Sequence, residues 1–250
     1  MLGTFEVERA DRGGSVSVPE GRLRTLFSTL ALRAGRPVPL SEIEERLWDG
    51  EPPPGARTTI RGYIKRLRRV LDVPAEPSVI SSGRHGYRLE VDPDHIDLHR
   101  FRALLARSNS AEVDEEVRLL REALALWRGP ALCDVTSESL HREVVPALCE
   151  LYLDAVSRRI EFDLRRGRAE TVVAELRHLV GENPLQEVFW AQLIRALHEA
   201  GRPAEALVMY EKCRETLADA LGIDPGRRLR ELHQRILLDE PLAPMARACR

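Results

Sequence analysis

The sequence predicts a mainly α protein, in which a small α+β domain at the amino end is followed by an all-α helical-repeat domain. Three observations carry that expectation. Short alternating segments bracket three helical patterns in residues 1–92, the third of those patterns gathers positive charge on one face, and two matching glycine turns lie 34 residues apart in a run of helical period. Each element follows from its residues.

Leu2 to Glu8 alternates apolar with polar residues, Asp11-Arg12-Gly13-Gly14 supplies a turn, and Ser15 to Val18 alternates again, the pattern of a short antiparallel sheet. Pro19 stands where a helix can begin, and Leu23, Leu26, Phe27, Leu30 and Ala31 recur at helical spacing until Gly35. Pro37 and Pro39 read as a connector. Ser41 and Glu44 have the spacing of a capping box, opening a short helix through Ile43, Leu47 and Trp48 that stops at Gly50. Glu51-Pro52-Pro53-Pro54-Gly55 is a stiff loop. Beyond the third helix, Val79 to Ser82 and Tyr87 to Val91, joined by Gly83-Arg84-His85-Gly86, read as a hairpin.

The third helix runs from Gly55 to Leu71. At about 100° per residue, Ile60, Ile64, Leu67 and Leu71 share one narrow arc with Tyr63 on its shoulder, so that face is core. Opposite lie Thr58, Gly62, Lys65 and Arg69, flanked by Arg61, Arg66 and Arg68, and no acidic residue interrupts the run before Asp72. Residues 1–95 hold 15 Lys+Arg against 14 Asp+Glu, so positive charge is gathered here rather than spread. Most such runs are solvated faces. The order around this one points elsewhere: sheet, three helices and a terminal hairpin is the order of a winged helix, a helix-turn-helix variant whose third helix enters the major groove.

At this point the residues carry a family resemblance. The stretch GRLRTLFSTLALRAGRPVPLSEIEERLWDGEPPPGARTTIRGYIKRLRRVL followed by HGYRLEV resembles the OmpR-type winged helix of the Streptomyces antibiotic regulatory proteins. Its most specific part is Ile64, Leu67, Arg68 and Leu71 joined to Gly86-Tyr87-Arg88-Leu89. ALALWRGPAL, Asn183-Pro184-Leu185, the stretch from Ala200 to Leu207 and the stretch from Leu221 to Gly226 resemble the bacterial transcriptional activation domain of the same regulators. The resemblance implies a winged-helix domain over 1–92, a linker over 93–100 and the activation domain, of tetratricopeptide-like helices, over 101–238; the Pro-broken residues 239–250 are expected to be a disordered tail.

The chemistry of the basic helix needs no family. Arginine can bond two acceptors on the major-groove edge of guanine, lysine and arginine neutralise phosphate, and threonine can bond either. Arg61 and Lys65, with Thr58 or Thr59, are the expected groove-facing group; Arg57, Arg66 and Arg69 are the expected phosphate contacts. Gly62, without a side chain, allows close approach. Arg68 lies nearer the core stripe and has the alternative of packing within its own domain. Arg84, at the hairpin tip, resembles the wing residue that reaches minor groove or backbone, and Arg88 can be simply a strand-face cation.

His95, Asp97 and His99 would share one side of an extended strand, the spacing of metal ligands, but no Cys or Glu completes a set, and the segment fits the D-x-x-x-F linker of the family, with Asp97 and Phe101 starting a helix. No metal and no cofactor is expected. Leu120 to Trp127 suggests an earlier helix pair and a long helix is expected from about Ser139 to Arg165. Gly167 and Gly201 open matching turns at the tetratricopeptide period. Trp190, Leu193, Leu197, Ala206 and Tyr210 take packing positions of the second repeat, while Val156, Ile160, Val172 and Leu176 keep only the apolar character of the first. Trp127, Trp190 and Tyr210 read as packing residues.

Cys133, Cys149, Cys213 and Cys249 show no CxxC pairing, and three of them sit among apolar helical residues, which reads as reduced core thiols. No signal peptide or membrane-length apolar run is present, so a cytoplasmic, nucleoid-associated place without a membrane partner is expected. The net charge of -2 argues against a general cationic coat. G-x-x-x-x-G-K-[ST], G-x-S-x-G and H-E-x-x-H are all missing, so no enzyme chemistry is proposed.

The expected function is therefore that of a sequence-specific transcriptional activator. The resemblance implies double-stranded promoter DNA as partner, direct repeats near the -35 region, a second protomer on DNA, recruitment of RNA polymerase through sigma and other subunits, and control of an antibiotic or other secondary-metabolite gene cluster. Larger relatives append an ATPase module and many OmpR-type proteins carry a phosphoacceptor domain; neither control is expected within this chain. The alternative is a helical-repeat scaffold whose winged helix docks protein rather than DNA.

Overall fold

The structure, a computed structural model, describes residues 1–8, 14–84 and 86–239. It divides into two compact units, residues 1–153 and residues from Asp154 onward. The mainly α class holds, with the winged helix first and helices after it. Among the described residues, no helix is long and apolar enough to cross a membrane.

In the first unit, α1 (Arg22–Ala31), α2 (Leu40–Trp48) and α3 (Ala56–Leu71) precede the hairpin β1 (Ile80–Gly83) and β2 (Gly86–Leu89). The strands pair antiparallel, Ile80 opposite Leu89 and Gly83 opposite Gly86. One buried cluster takes Leu23, Leu26 and Leu30 from α1, Ile43 and Leu47 from α2, and Ile60, Ile64, Leu67 and Leu71 from α3. Each such aliphatic side chain contributes about 1.5–3 kcal/mol on burial. The stripe read from periodicity is thus the face that holds α3 on the domain.

Several local features differ from expectation. The connector between Pro37 and Pro39 is part of the sheet: Val38 donates its N–H to Tyr87 O at 2.7 Å and accepts from Tyr87 N at 3.1 Å. Gly86 permits this approach, because with φ at 133° a Cβ there would stand 1.9 Å from Val38 O. Ser41 and Glu44 form no capping box. The cap lies two residues earlier, at Pro39 with no side-chain cap, so that the helix begins at Leu40, and the Glu44 carboxylate faces Arg57 instead, 3.4 Å away.

The amino-terminal sheet is reduced to bridges. Glu8 pairs with Ser15 and Val16 N donates to Val7 O, as the alternation suggests, but Leu2 pairs with Ala131. Of the turn expected at 11–14, residues 11–13 lie outside the described residues. The Asp97 carboxylate explains the course of the chain, accepting from the Met1 ammonium at 2.8 Å, from Leu2 N at 2.9 Å and from Leu98 N at 2.7 Å. His99 Nε2 lies 2.8 Å from Ala31 O. These two side chains serve packing, and the described residues contain no metal-ligand cluster.

The helices α4 (Asp97–Ser108) and α5 (Val113–Ala125) pack as a pair. The single helix expected from Ser139 to Arg165 is instead two, α6 (Glu138–Glu143) and α7 (Val145–Arg165), parted at Val144. Pro146 is the cause, since it lacks the N–H that would bond the Arg142 carbonyl and its ring crowds that turn. Trp127 stacks on Tyr152 at 4.6 Å between centroids, with Phe101 tilted against it at 5.6 Å.

In the second unit, α8 (Ala169–Glu182), α9 (Glu187–Glu199), α10 (Pro203–Leu221) and α11 (Arg227–Leu237) follow, the last three each packed on the one before it. The two glycine turns are the same motif. Gly167 N donates to Leu164 O and Arg168 N to Asp163 O; 34 residues on, Gly201 N donates to His198 O and Arg202 N to Leu197 O. Both are Schellman caps, with the glycines at φ of 70° and 73°. Trp190 is buried and its Nε1 donates to Pro184 O at 2.9 Å, while Tyr210 stacks on His233 at 3.9 Å.

The cysteines need a correction. Cys133 is exposed and Cys149 half-buried; only Cys213 among the described three is buried, and Cys249 lies outside the described residues. The apolar neighbours of Cys133 in sequence face inward from Leu132 and Val135, leaving the thiol between them outward. Residues 240–250 of the expected disordered tail also lie outside the described residues.

Candidate nucleic-acid interface

The site is built on α3. Gly55, with φ at 81°, turns the proline loop into the helix, and its carbonyl accepts from Thr58 N and Thr59 N at 2.9 and 3.1 Å. Ile60 and Ile64 then bury one side, which fixes what the other side presents. Arg57, Thr58, Arg61, Gly62, Lys65, Arg66 and Arg69 are all exposed. Thr59 is half-buried and its hydroxyl donates to Gly55 O at 3.4 Å, so Thr58 is the freer of the two threonines.

Electrostatically the face is undiluted. Among the described residues, Arg61, Lys65, Arg66 and Arg69 have no carboxylate within ion-pair distance, and Arg57, its side chain 71% exposed, has only Glu44 at 3.4 Å. Arg68 and Arg69 in the last turn also complement the negative helix end. No side chain occupies the outer surface at Gly62, and nothing stands within 4 Å of where one would begin.

Arg68 takes the packing role that its angular position allows. Its Nε and a terminal nitrogen donate to Ile80 O at 3.0 and 2.7 Å, and that nitrogen also donates to Ser82 Oγ at 2.8 Å. The last turn of α3 is thereby fastened to the first strand of the wing. Arg84 is exposed at the hairpin tip without an ionic partner among the described residues, next to His85, which lies outside them. Arg88 stands 3.7 Å from Glu90, so the strand-face reading fits it.

Two positioning features carried little signal in the sequence. Val38, between prolines, extends the wing sheet; its signal was Gly86, whose conformation makes sense only against a close backbone. Asp49, left-handed at φ 51° beyond α2, accepts from Ser139 N at 2.7 Å at the start of α6. Arg46 of α2 meets Glu143 of the same short helix at 2.7 Å.

An exposed cationic helix seated on a buried three-helix cluster, with a hairpin fastened at its end, defines a winged-helix transcriptional regulator. The comparisons agree on both parts of the chain. Residues 19–89 match the family described as transcriptional regulatory protein, C terminal, and residues 96–237 match the bacterial transcriptional activator domain. The regulatory protein DnrI of Streptomyces peucetius is 37% identical over 96% of this chain and 92% of its own, and the transcriptional regulator RedD of Streptomyces coelicolor is 34% identical over 97% and 71%. A structure of Mycobacterium tuberculosis EmbR in complex with a low affinity phosphopeptide superposes with a TM-score of 0.84 at 35% identity, covering 93% of this chain and 63% of that one. The chain belongs to the Streptomyces antibiotic regulatory protein family of DNA-binding transcriptional activators.

Proposed function

We propose that this chain activates a secondary-metabolite gene cluster by binding direct repeats near a -35 element and recruiting RNA polymerase. In this reading residues 1–92 bind DNA, 93–100 link and 101–238 activate, in the cytoplasm at the nucleoid. The observation that carries it is the outer face of α3, where Arg61, Lys65, Arg66 and Arg69 stand exposed without acidic partners. Arg61, Lys65 and Thr58 or Thr59 read bases, Arg57, Arg66 and Arg69 hold phosphates, and Arg84 reaches the duplex from the wing. A second protomer on the adjacent repeat raises affinity through effective concentration. The relatives named as regulators of Streptomyces support the gene-cluster reading.

The test is fluorescence anisotropy of the full chain on promoter DNA from its own gene neighbourhood and on a scrambled duplex, across a salt series. Preference of about a thousandfold or more is expected, with a salt slope that falls by roughly one unit in Arg66→Ala or Arg69→Ala. Equal weak binding to both duplexes would overturn the reading in favour of a protein-docking scaffold.

A further inference from the structure

The first unit contains a cavity of about 790 Å³ with no part in the DNA reading. Its size is that of pockets which enclose a drug-sized molecule, about 300–1,000 Å³. Val7 and Val16 of the amino-terminal bridge, Phe27 of α1 and Val79 ahead of the wing form its apolar lining. All four remain only partly buried although they pack against the winged-helix core. Apolar surface is thus left open on a concave wall, where an organic body would displace water.

Carboxylates outnumber cations around that wall, which Met1, with its ammonium, His95 and one arginine also line. Glu8, Glu76, Glu90 and Asp92 contribute to the lining. Its one arginine, Arg128, is already paired with Glu6 at 2.6 Å, and Asp97 is occupied by Met1 and Leu2. Glu90 accepts from Ser81 and Asp92 from Asp94 N, but Glu8 and Glu76 have no cationic partner among the described residues. An anion entering here would meet repulsion, and a neutral apolar molecule would leave the carboxylates unanswered.

We infer that this cavity is a binding site for a hydrophobic organic cation, a molecule whose apolar body lies on Val7, Val16, Phe27 and Val79 and whose positive group faces Glu8 and Glu76. The lining also includes Ile96 and Arg128, so an occupant touches both the winged helix and the chain that follows it.

The probe is crystal violet, a bulky delocalised cation, compared by equilibrium dialysis with its uncharged leuco form, which has nearly the same carbon skeleton. No DNA is present, so the result is independent of the proposed DNA contacts. The full chain is expected to bind crystal violet at one site, the leuco form at least tenfold more weakly. The double variant Glu8→Gln/Glu76→Gln, at exposed positions and folded by circular dichroism, should weaken crystal violet at least fivefold and leave the leuco form unchanged. Val79→Trp, filling the wall, should abolish both. Equal affinity for the two dyes, an unchanged double variant, or no binding of crystal violet at millimolar concentration would each overturn the proposal.

Discussion

The Arg68 guanidinium is a fastener: two of its nitrogens donate to the Ile80 carbonyl, at 3.0 and 2.7 Å. Arg66 and Arg69, its neighbours on α3, face solvent. One run of basic residues therefore contains two kinds of arginine. Arg68→Ala should cost about 1–3 kcal/mol, because it leaves a partly buried carbonyl without its charged donor, whereas Arg66→Ala and Arg69→Ala should stay within about 0.5 kcal/mol of wild type. Urea unfolding separates the two. An Arg68→Ala variant as stable as Arg69→Ala would remove the fastener from the account.

Gly86→Ala tests the wing from the other side. A methyl group there would collide with Val38 O, and the positive φ of 133° adds strain for any residue with a Cβ. The variant should lose about 2–4 kcal/mol or expel Val38 from the sheet. Hydrogen exchange at the Tyr87 and Val38 amides reports the second outcome, and unchanged protection with unchanged stability would contradict this packing.

Asp49 links α2 to α6 and should be visible in the acid limb of stability. Partial burial pushes its carboxyl up, but bonds from Ser139 and Glu138 and the charge of Arg142 outweigh that and hold it below the ordinary carboxylate value. A folded-state value lower than the unfolded one means the carboxylate's contribution is full above the unfolded range and is lost as pH falls through the folded value. Asp49 is exposed, so solvent screening keeps the effect small, on the order of 0.5 kcal/mol. Asp49→Asn should flatten stability between pH 5 and 2 relative to wild type, and an unchanged acid limb would show that Asp49 does not hold α6.

The thiols should react in order of exposure. Burial, aided by the nearby Glu187 charge, pushes the Cys213 thiol up to about 12, so almost no thiolate exists at neutral pH. Burial also raises Cys149, whereas Cys133 is exposed. In a Cys249→Ser variant, Ellman's reagent at pH 8 should label Cys133 first, Cys149 slowly and Cys213 only on unfolding. Fast labelling of Cys213 in the native protein would mean that α10 opens.

Much of this was legible because it is periodic. The α3 stripe and its opposite cationic face follow from a 3.6-residue repeat, and the glycine turns at 167 and 201 from a 34-residue one. What escaped depends on partners distant in sequence. Nothing near Leu2 announces Ala131, nothing near Val38 announces Tyr87, and Ser41 with Glu44 satisfied a local rule that a helix cap two residues earlier made irrelevant. Pro146 was readable, and it divided a helix that apolar spacing alone would have continued. In the candidate site, exposure of the cations was legible, but the separation of Arg68 from its neighbours required knowing where β1 runs.

Gly62 sets stability against the proposed function. Glycine in a helix interior costs about 0.5–1 kcal/mol relative to alanine, and at Gly62 the new methyl would meet nothing within 4 Å. Gly62→Ala should therefore stabilise the chain by about that amount. The same methyl stands between Lys65, Arg69 and Thr58 on the face proposed to enter the groove, where it holds the helix away from the bases. DNA affinity should fall while the melting temperature rises, with more loss on the specific duplex than on the scrambled one. A Gly62→Ala chain that is both more stable and equally tight on its operator would show that this face does not approach the groove closely, and would move the proposed contacts toward Arg61 and Arg66 at its edges.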